Sequence, residues 1–173
     1  MGHVEAICTA PGAGAPMQTL NQVQAIAGLG LGGDRYATGS GFYSQRPTDP
    51  GAREVTLFEA EVLDLLRSDF GIGLTAAEHR RNLTIRGMPL GGLIGRQFRI
   101  GEVLLEGVKD CPPCEHLEQL TGKPVLQPLL NRGGLRARVL EGGTIHIGDQ
   151  VSAADTAASP QPLTAAARPG SGR

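Results

Sequence analysis

Between residues 83 and 151 the chain repeats one device: a short run in which apolar side chains alternate with polar ones or stand together, closed by a glycine-bearing turn. The runs "NLTIRG", "RQFRIG", "EVLLEGV", "LRARVL" and "TIHIGDQV" all have this form. A period of two is the signature of a strand with one buried face, and frequent glycines cut such strands short. With 26 Gly, 12 Pro, 4 Phe, 2 Tyr and no Trp, the apolar volume must come from Leu, Val, Ile and Ala. That composition favours a turn-rich β fold over a helical bundle. The expected class is mainly β with a few helices, a strand-rich barrel or sandwich.

The N-terminal half adds three strands, in "HVEAIC", "VQAIAG" and "EVTLF". The last runs into "FEAEVLDLLRSDFG", where Phe58, Val62, Leu65 and Leu66 fall at i, i+4, i+7 and i+8. That spacing predicts one helix with a single apolar face, stopped by Gly71. Thr75 and Glu78 have the spacing of a capping box, which predicts a helical turn ahead of the strand that carries Leu83 and Ile85. Residues 28 to 53 hold so many Gly and Pro that a long excursion is expected, and loops of that length usually have a job. "CEHLEQLTG" and "VLQPLLN" read as short helical turns, with Pro124 suited to a first helical position.

A chain of 173 residues suits one compact domain, placed at residues 1–152. From Ala153 onward Ala, Pro, Ser and Gly dominate, which predicts a disordered tail over 153–173. With 16 basic and 17 acidic residues the net charge is −1, so no global field for nucleic acid or membrane is indicated and any anion site is local. No apolar run reaches the roughly 20 residues that cross a bilayer, and the N-terminus lacks a signal-peptide pattern, so a soluble, cytoplasmic protein is expected. Three cysteines do not build a disulfide framework, and reduced thiols are the default.

Two of those cysteines stand in "DCPPCEHLEQLTG". A zinc site would need two further ligands from Cys8, His3, His79, His116 or His146, none paired at finger-like spacing. A thioredoxin-like dithiol would want the motif after the first strand of a βαβ unit. In a third reading Pro113 occupies a first helical position and Cys114 lies within the first turn, its own amide and that of Glu115 free for an anion. The bland alternative is a buried cysteine acting as a small hydrophobe. All four stay open on spacing alone.

"EHRRNLTIRG" puts Arg80, Arg81 and Asn82 at a strand entrance, where alternation sends Arg80 and Asn82 to one side and Arg81 to the other. Arg offers a planar fork for phosphate and Asn an amide for a heterocycle edge, while a solvated strand end is the plain alternative. In "GLGLGGDRY" Asp34 and Arg35 follow a glycine run with no helix pattern behind it, so Asp34 is expected to bond local amides in a turn. In "NRGGLR" Arg132 is placed to reach an anion, while Gly133 and Gly134 bend the chain into the next strand.

Taken in order, "GLGLGGDRY", "REVTLFEAEVLDLL", "RRNLTIRG", "LIGRQFRIGEVLLEG", "CPPCEHLEQLTG" and "RGGLRARVLEGGTIHIGD" resemble the MOSC domains, named for the C-terminal domain of molybdenum cofactor sulfurase. The resemblance covers residues 3 to 151 and is to the small stand-alone bacterial members. It implies a MOSC-type β-barrel and a molybdenum cofactor (molybdopterin). Cys114 matches the family's characteristic cysteine, which is thought to handle sulfur in the sulfurases and ligates molybdenum in the amidoxime-reducing enzymes. Arg80 and Asn82 match the Arg-x-Asn element that contacts pterin and phosphate in those reductases. Cys111 matches a position with no assigned role. Without an aminotransferase-like domain, no pyridoxal phosphate is expected on this chain, and the N-terminal β-barrel domain of the amidoxime reductases has no counterpart here.

Three functions follow from the resemblance: two-electron reduction of an N-hydroxylated substrate at molybdenum held by Cys114, carriage of sulfur as a Cys114 persulfide, or binding without catalysis through the 28–53 loop. The partner would be an electron-donor reductase or a sulfur donor or acceptor protein. A homodimer is left open.

Overall fold

The computed structural model describes residues 1–154, so the expected tail lies, beyond Ala154, outside the described residues. Eleven strands and two helices appear, in the order β1 (Gly2–Thr9), β2 (Gln18–Leu20), β3 (Gln22–Ile26), β4 (Gly30–Leu31), β5 (Val55–Glu59), α1 (Ala60–Phe70), β6 (Leu83–Arg86), β7 (Gln97–Ile100), β8 (Val103–Asp110), α2 (Glu115–Thr121), β9 (Leu135–Glu141), β10 (Gly143–His146) and β11 (Gln150–Ala153). The strands pair in the order β11-β7-β8-β9-β5-β6-β1-β2, and β11 returns to pair with β1 through Gly2↔Val151 and His3↔Gln150. Seven strands therefore close into a barrel, with β2 appended outside the ring, and closure removes the free edges on which strands aggregate. The expected mainly β, barrel-like class is the one observed.

Alternation makes this ring possible. In β9, Leu135, Ala137 and Val139 are buried while Arg136 and Arg138 are half-buried on the opposite face. In β5, Val55 and Leu57 point inward beside Leu83 and Ile85 of β6. Phe98, Ile100, Val103 and Leu105 complete the interior, and β3, β4 and β10, a separate three-stranded sheet, add Val23, Leu31 and Ile145 to the same cluster. One interior side chain of this size contributes about 1.5–3 kcal/mol by leaving water.

β5 and β6 are parallel and joined through α1, the one parallel pair in the ring. The helix stops at Gly71, whose φ of 64° is the left-handed cap that a side chain would resist. Its buried face is Ala60, Val62 and Leu66, with Leu63 packed at the margin, so Leu65 is less buried than the predicted face required. Phe58 is the last outward residue of β5 and not part of the helix, yet it caps the same stripe. Together with Leu74, Leu117, Val125 and Leu129 it forms a second apolar cluster on the outside of the barrel.

Two expectations change, and two short strands are added. "TIHIGDQV" is two strands, β10 and β11, because Gly148 at φ 87° turns the chain between them. The capping box at Thr75 and Glu78 forms, with Thr75 N donating to Glu78 Oε2 at 2.8 Å and Glu78 N to Thr75 Oγ1 at 3.3 Å, but it closes a single turn and no helix follows. β2 and β4, of three and two residues, are too short to leave a periodicity in the sequence.

Candidate functional site

A cavity of about 510 Å³ opens on the outer wall of the barrel. Its floor is the outward face of three neighbouring strands: Thr56 of β5, Arg136 of β9 and Lys109 of β8, paired directly as Thr56↔Arg136 and Lys109↔Arg136. One wall is the long 32–54 excursion, which contributes Arg35, Tyr36, Tyr43, Arg46 and Arg53. The opposite wall is residues 110–114, and a smaller lobe of about 50 Å³ between Cys114, His116 and Phe42 adjoins it. The interior of the barrel is filled by apolar side chains, and this recess lies outside it.

Cys114 lies half-buried where the two spaces meet, partly packed against the second apolar cluster. Its backbone, at φ −141° and ψ 161°, is extended, and α2 begins only at Glu115. Cys114 is thus the N-cap residue rather than part of the first turn, and Pro113, buried and non-helical, precedes it. The reason is local: a proline disfavours helix in the residue before it, and two in succession keep 111–113 extended. Cys111 is 4% exposed and Cys8 is 1% exposed, where burial pushes its thiol up. The small-hydrophobe reading therefore suits Cys8 and Cys111, which is buried in the cavity wall, while Cys114 is the half-buried cysteine of that wall.

The loop is held by Arg81, only 8% exposed. Its Nε donates to Gly133 O at 2.9 Å, and its Nη2 to Cys111 O at 3.3 Å and Pro112 O at 3.1 Å. Nη1 adds a weaker bond to His79 O at 3.4 Å. Gly133 lets the loop come this close, since a Cβ there would fall 2.2 Å from Cys111 O. His79 is fully buried against Phe58, its ring 4.3 Å away and nearly parallel. Its Nδ1 accepts from Arg81 N at 3.0 Å, so Nε2 carries the hydrogen given to Thr84 Oγ1 at 2.8 Å. Burial first, and the Arg81 charge second, push its pKa down to about 3, which keeps it neutral.

Arg80 adopts φ 61°, a left-handed conformation rare for a non-glycine residue. Alternation fails there. Arg80 and Arg81 line the cavity together, and Asn82 turns away from both. The Asn82 carboxamide is committed within the sheet, accepting from Thr56 N at 3.1 Å and Thr56 Oγ1 at 3.0 Å and donating to Cys8 O at 3.2 Å. Arg80 Nη1 donates to Ala15 O at 2.8 Å, and burial and the nearby Arg35 charge depress its pKa. Arg35 donates from Nη2 to Arg80 O at 3.2 Å and from Nη1 to Asp34 Oδ1 at 3.1 Å. Asp34, fully buried, also accepts from Ala10 N and Tyr36 N at 3.2 Å each, so it is the brace of the loop and does not line the cavity. Arg132 is exposed, its side chain bonded to Pro128 O at 3.4 Å, and lies outside the cavity lining.

Sequence reasoning missed Tyr43, Arg53, Lys109 and Arg136. Tyr43 stands beside Cys114, and burial first, then the neighbouring thiol, push its hydroxyl up to about 12. Arg136 was readable in principle, because the alternation in "LRARVL" that buries Leu135 and Ala137 turns both arginines outward. Seven cationic side chains line the recess: Arg35, Arg80 and Arg81 reach both spaces, and Arg46, Arg53, Lys109 and Arg136 the larger one alone. In a chain of net charge −1 this is a local focus of positive potential.

Two further readings of the Cys-Pro-Pro-Cys motif lose support. Among the described residues no group of three or more His, Cys, Asp or Glu side chains could hold a metal ion, which removes the zinc half-site. The motif follows β8, whose neighbours are both antiparallel, and not the first strand of a βαβ unit. No helix among the described residues is long and apolar enough to cross a membrane.

A family model described as the MOSC domain matches residues 32–152. Solved structures share the fold. The YuaD protein from Bacillus subtilis has a TM-score of 0.71 at 17% identity, with 87% of this chain and 94% of that chain covered. YiiM from Geobacillus stearothermophilus has a TM-score of 0.67 at 14% identity, covering 90% and 76%. YiiM from Escherichia coli has a TM-score of 0.61 at 17% identity, covering 91% and 72%. No curated protein matches the chain by sequence.

Proposed function

The chain belongs to the MOSC domain family, and from that premise we propose that it binds the molybdenum cofactor with Cys114 as the protein's thiolate ligand and reduces N-hydroxylated substrates by two electrons. The observation that carries the proposal is the position of Cys114: a half-buried sulfur facing a recess that gathers seven cationic side chains. A volume of about 510 Å³ falls within the ordinary range for small-molecule and cofactor sites.

The donor set fits the group. One soft sulfur that, among the described residues, belongs to no cluster of three or more ligating side chains suits a metal that arrives with sulfur ligands of its own. A phosphate-bearing cofactor needs cations that are held in place, and Arg35 and Arg80 are anchored by Asp34 and by the Ala15 carbonyl. When bound, the cofactor supplies the two-electron redox chemistry.

This chain's own residues do the rest. Arg81 fixes the 111–113 backbone so that Cys114 is presented in one place. Tyr43, whose pKa of about 12 keeps its proton on, offers a neutral hydroxyl beside the sulfur. Phe42 stacked on His116, with ring centroids 3.8 Å apart, gives the smaller lobe an aromatic side. The reaction cleaves the N–O bond; two electrons and two protons enter, and the oxygen leaves as water. The electrons come from a separate reductase protein.

The test is elemental analysis of protein purified from a host that makes the cofactor, alongside Cys114→Ala. Stoichiometric molybdenum and hydroxylamine-type turnover in the parent, both lost in the variant, are expected. Molybdenum and turnover unchanged in Cys114→Ala would end the reading, and a one-sulfur mass adduct on Cys114 without molybdenum would replace it with sulfur carriage.

A further inference from the structure

Holding a cofactor against Cys114, Arg35 and Arg80 leaves Arg136, and Arg53 beyond the bond its Nη1 gives to Arg46 O at 2.5 Å, without an anionic partner. Two other cations on this face of the barrel have a carboxylate partner. Arg138 pairs with Glu106 at 2.7 Å, and Lys109 pairs with Asp49 at 2.7 Å. Among the described residues no carboxylate lies within 4.0 Å of Arg53 or Arg136, although Asp110 lies on the same cavity wall. The Nε atoms of Arg53 and Arg136 are both buried and both without a hydrogen-bond partner.

That arrangement is costly by itself. Lys109 and Arg136 stand directly opposite on paired strands, where like charges are destabilising. The bulge in β8 between Gly107 and Lys109 brings them into register. Arg53 is pushed down in pKa by burial and then by the Arg136 charge. Buried guanidinium hydrogens with no acceptor, beside a second cation, are satisfied at once by an oxyanion, which takes two N–H bonds from a guanidinium fork. Thr56, on the other side of Arg136, lines the same surface while its hydroxyl stays bonded to Asn82.

We propose that Arg53 and Arg136, flanked by Lys109, form an oxyanion subsite that fixes a carboxylate or phosphate group of the molecule reacting at Cys114. None of the three lines the smaller lobe, so the subsite belongs to the larger space alone. The substrate class is accordingly N-hydroxylated molecules with an anionic tail, and tail and reacting group are held at two places, as orientation requires. What reacts at Cys114 rests on the proposed function, while the anion site stands on its own residues.

Calorimetric titration of the full chain, free of cofactor, with inorganic phosphate decides it. Two sites are expected in the parent protein. Arg136→Gln weakens one at least about tenfold and leaves the other, Arg80→Gln does the reverse, and Arg136→Lys restores part of the loss. A thermal melt without phosphate checks folding, and Arg136→Gln is expected to melt no lower than the parent because a repulsion has been removed. Unchanged phosphate binding in both Arg136→Gln and a folded Arg53→Gln overturns the subsite.

Repeating the titration on molybdenum-loaded protein separates the sources of the anion. Retained phosphate binding at Arg136 assigns the subsite to the substrate, and its loss on loading assigns it to the cofactor and overturns the substrate class. In the loaded enzyme, Arg136→Gln is expected to raise KM for a carboxylate-bearing N-hydroxylated substrate at least about tenfold more than KM for its neutral analogue. If no molybdenum loads, the proposed function fails while the phosphate titration still stands or falls separately.

Discussion

Replacing Arg81 by Met removes the guanidinium that ties the cysteine loop to the barrel. The carbonyls of Gly133, Cys111 and Pro112 lose donors at 2.9, 3.3 and 3.1 Å, and the first two belong to buried residues where water does not substitute. A buried carbonyl left without a partner costs about 1–3 kcal/mol, so two give roughly 2–6 kcal/mol. Removing a desolvated cation returns part of this. A net loss of about 3–4 kcal/mol follows, and in a domain of this size each kcal/mol lowers Tm by about 2–4 °C. Arg81→Met is therefore expected to melt about 10 °C below the parent by circular dichroism. The loop is also expected to loosen, so Cys114 in the variant reacts several-fold faster with a thiol reagent, scored against Cys114→Ser as the blank. Arg81→Lys is expected to fall between, because a point charge cannot serve three carbonyls arranged for a fork. A Met variant melting within about 3 °C of the parent, with Cys114 no more reactive, would refute the claim that this arginine positions the sulfur.

Three further outcomes are expected. Because the folded pKa of His79 is depressed to about 3, its neutral form contributes stability that is fully present above the unfolded value near 6.5 and is lost as pH falls below it. Denaturant unfolding between pH 7 and pH 5 is expected to show a loss approaching about 1.4 kcal/mol per pH unit below 6.5, flattened in His79→Gln. Gly133→Ala forces a methyl to within 2.2 Å of Cys111 O and is expected to cost about 2–4 kcal/mol and raise Cys114 reactivity, read by the same melt and thiol assay. Gly134→Ala meets Leu57 O at 2.2 Å and must also hold φ near 111°, so it is expected to destabilise at least as much without being specific to the loop.

Alternation within single strands was legible and carried most of the fold: β5, β7, β8 and β9 lie where period two predicted, and α1 ends at Gly71 as its cap residue required. What alternation does not encode is which strands meet. The closing pair of β1 with β11 joins segments about as far apart as the described chain allows, and nothing local marks it.

The site was legible where a residue's type matched its place. Cys114 and Arg80 both line the recess, along with Arg35 and Arg81. Alternation misled at Arg80 because a positive φ at a non-glycine residue carries no sequence signal, so Asn82 was expected on the cavity side and sits in the sheet. Asp34 is a brace and Arg132 is exposed and outside the recess lining. Arg53, Lys109 and Arg136 went unnoticed because they converge from a loop and two strands that only the barrel brings side by side.

In β5 and β9, odd-numbered positions hold the barrel shut while even-numbered Thr56 and Arg136 shape the recess outside it. The two sets are interleaved along the chain but separated by the thickness of a sheet. Substitutions can therefore accumulate on the outward set, changing what the protein accepts, without loosening the wall that carries it. A lineage built on this scaffold can diversify its ligands quickly while its architecture stays still.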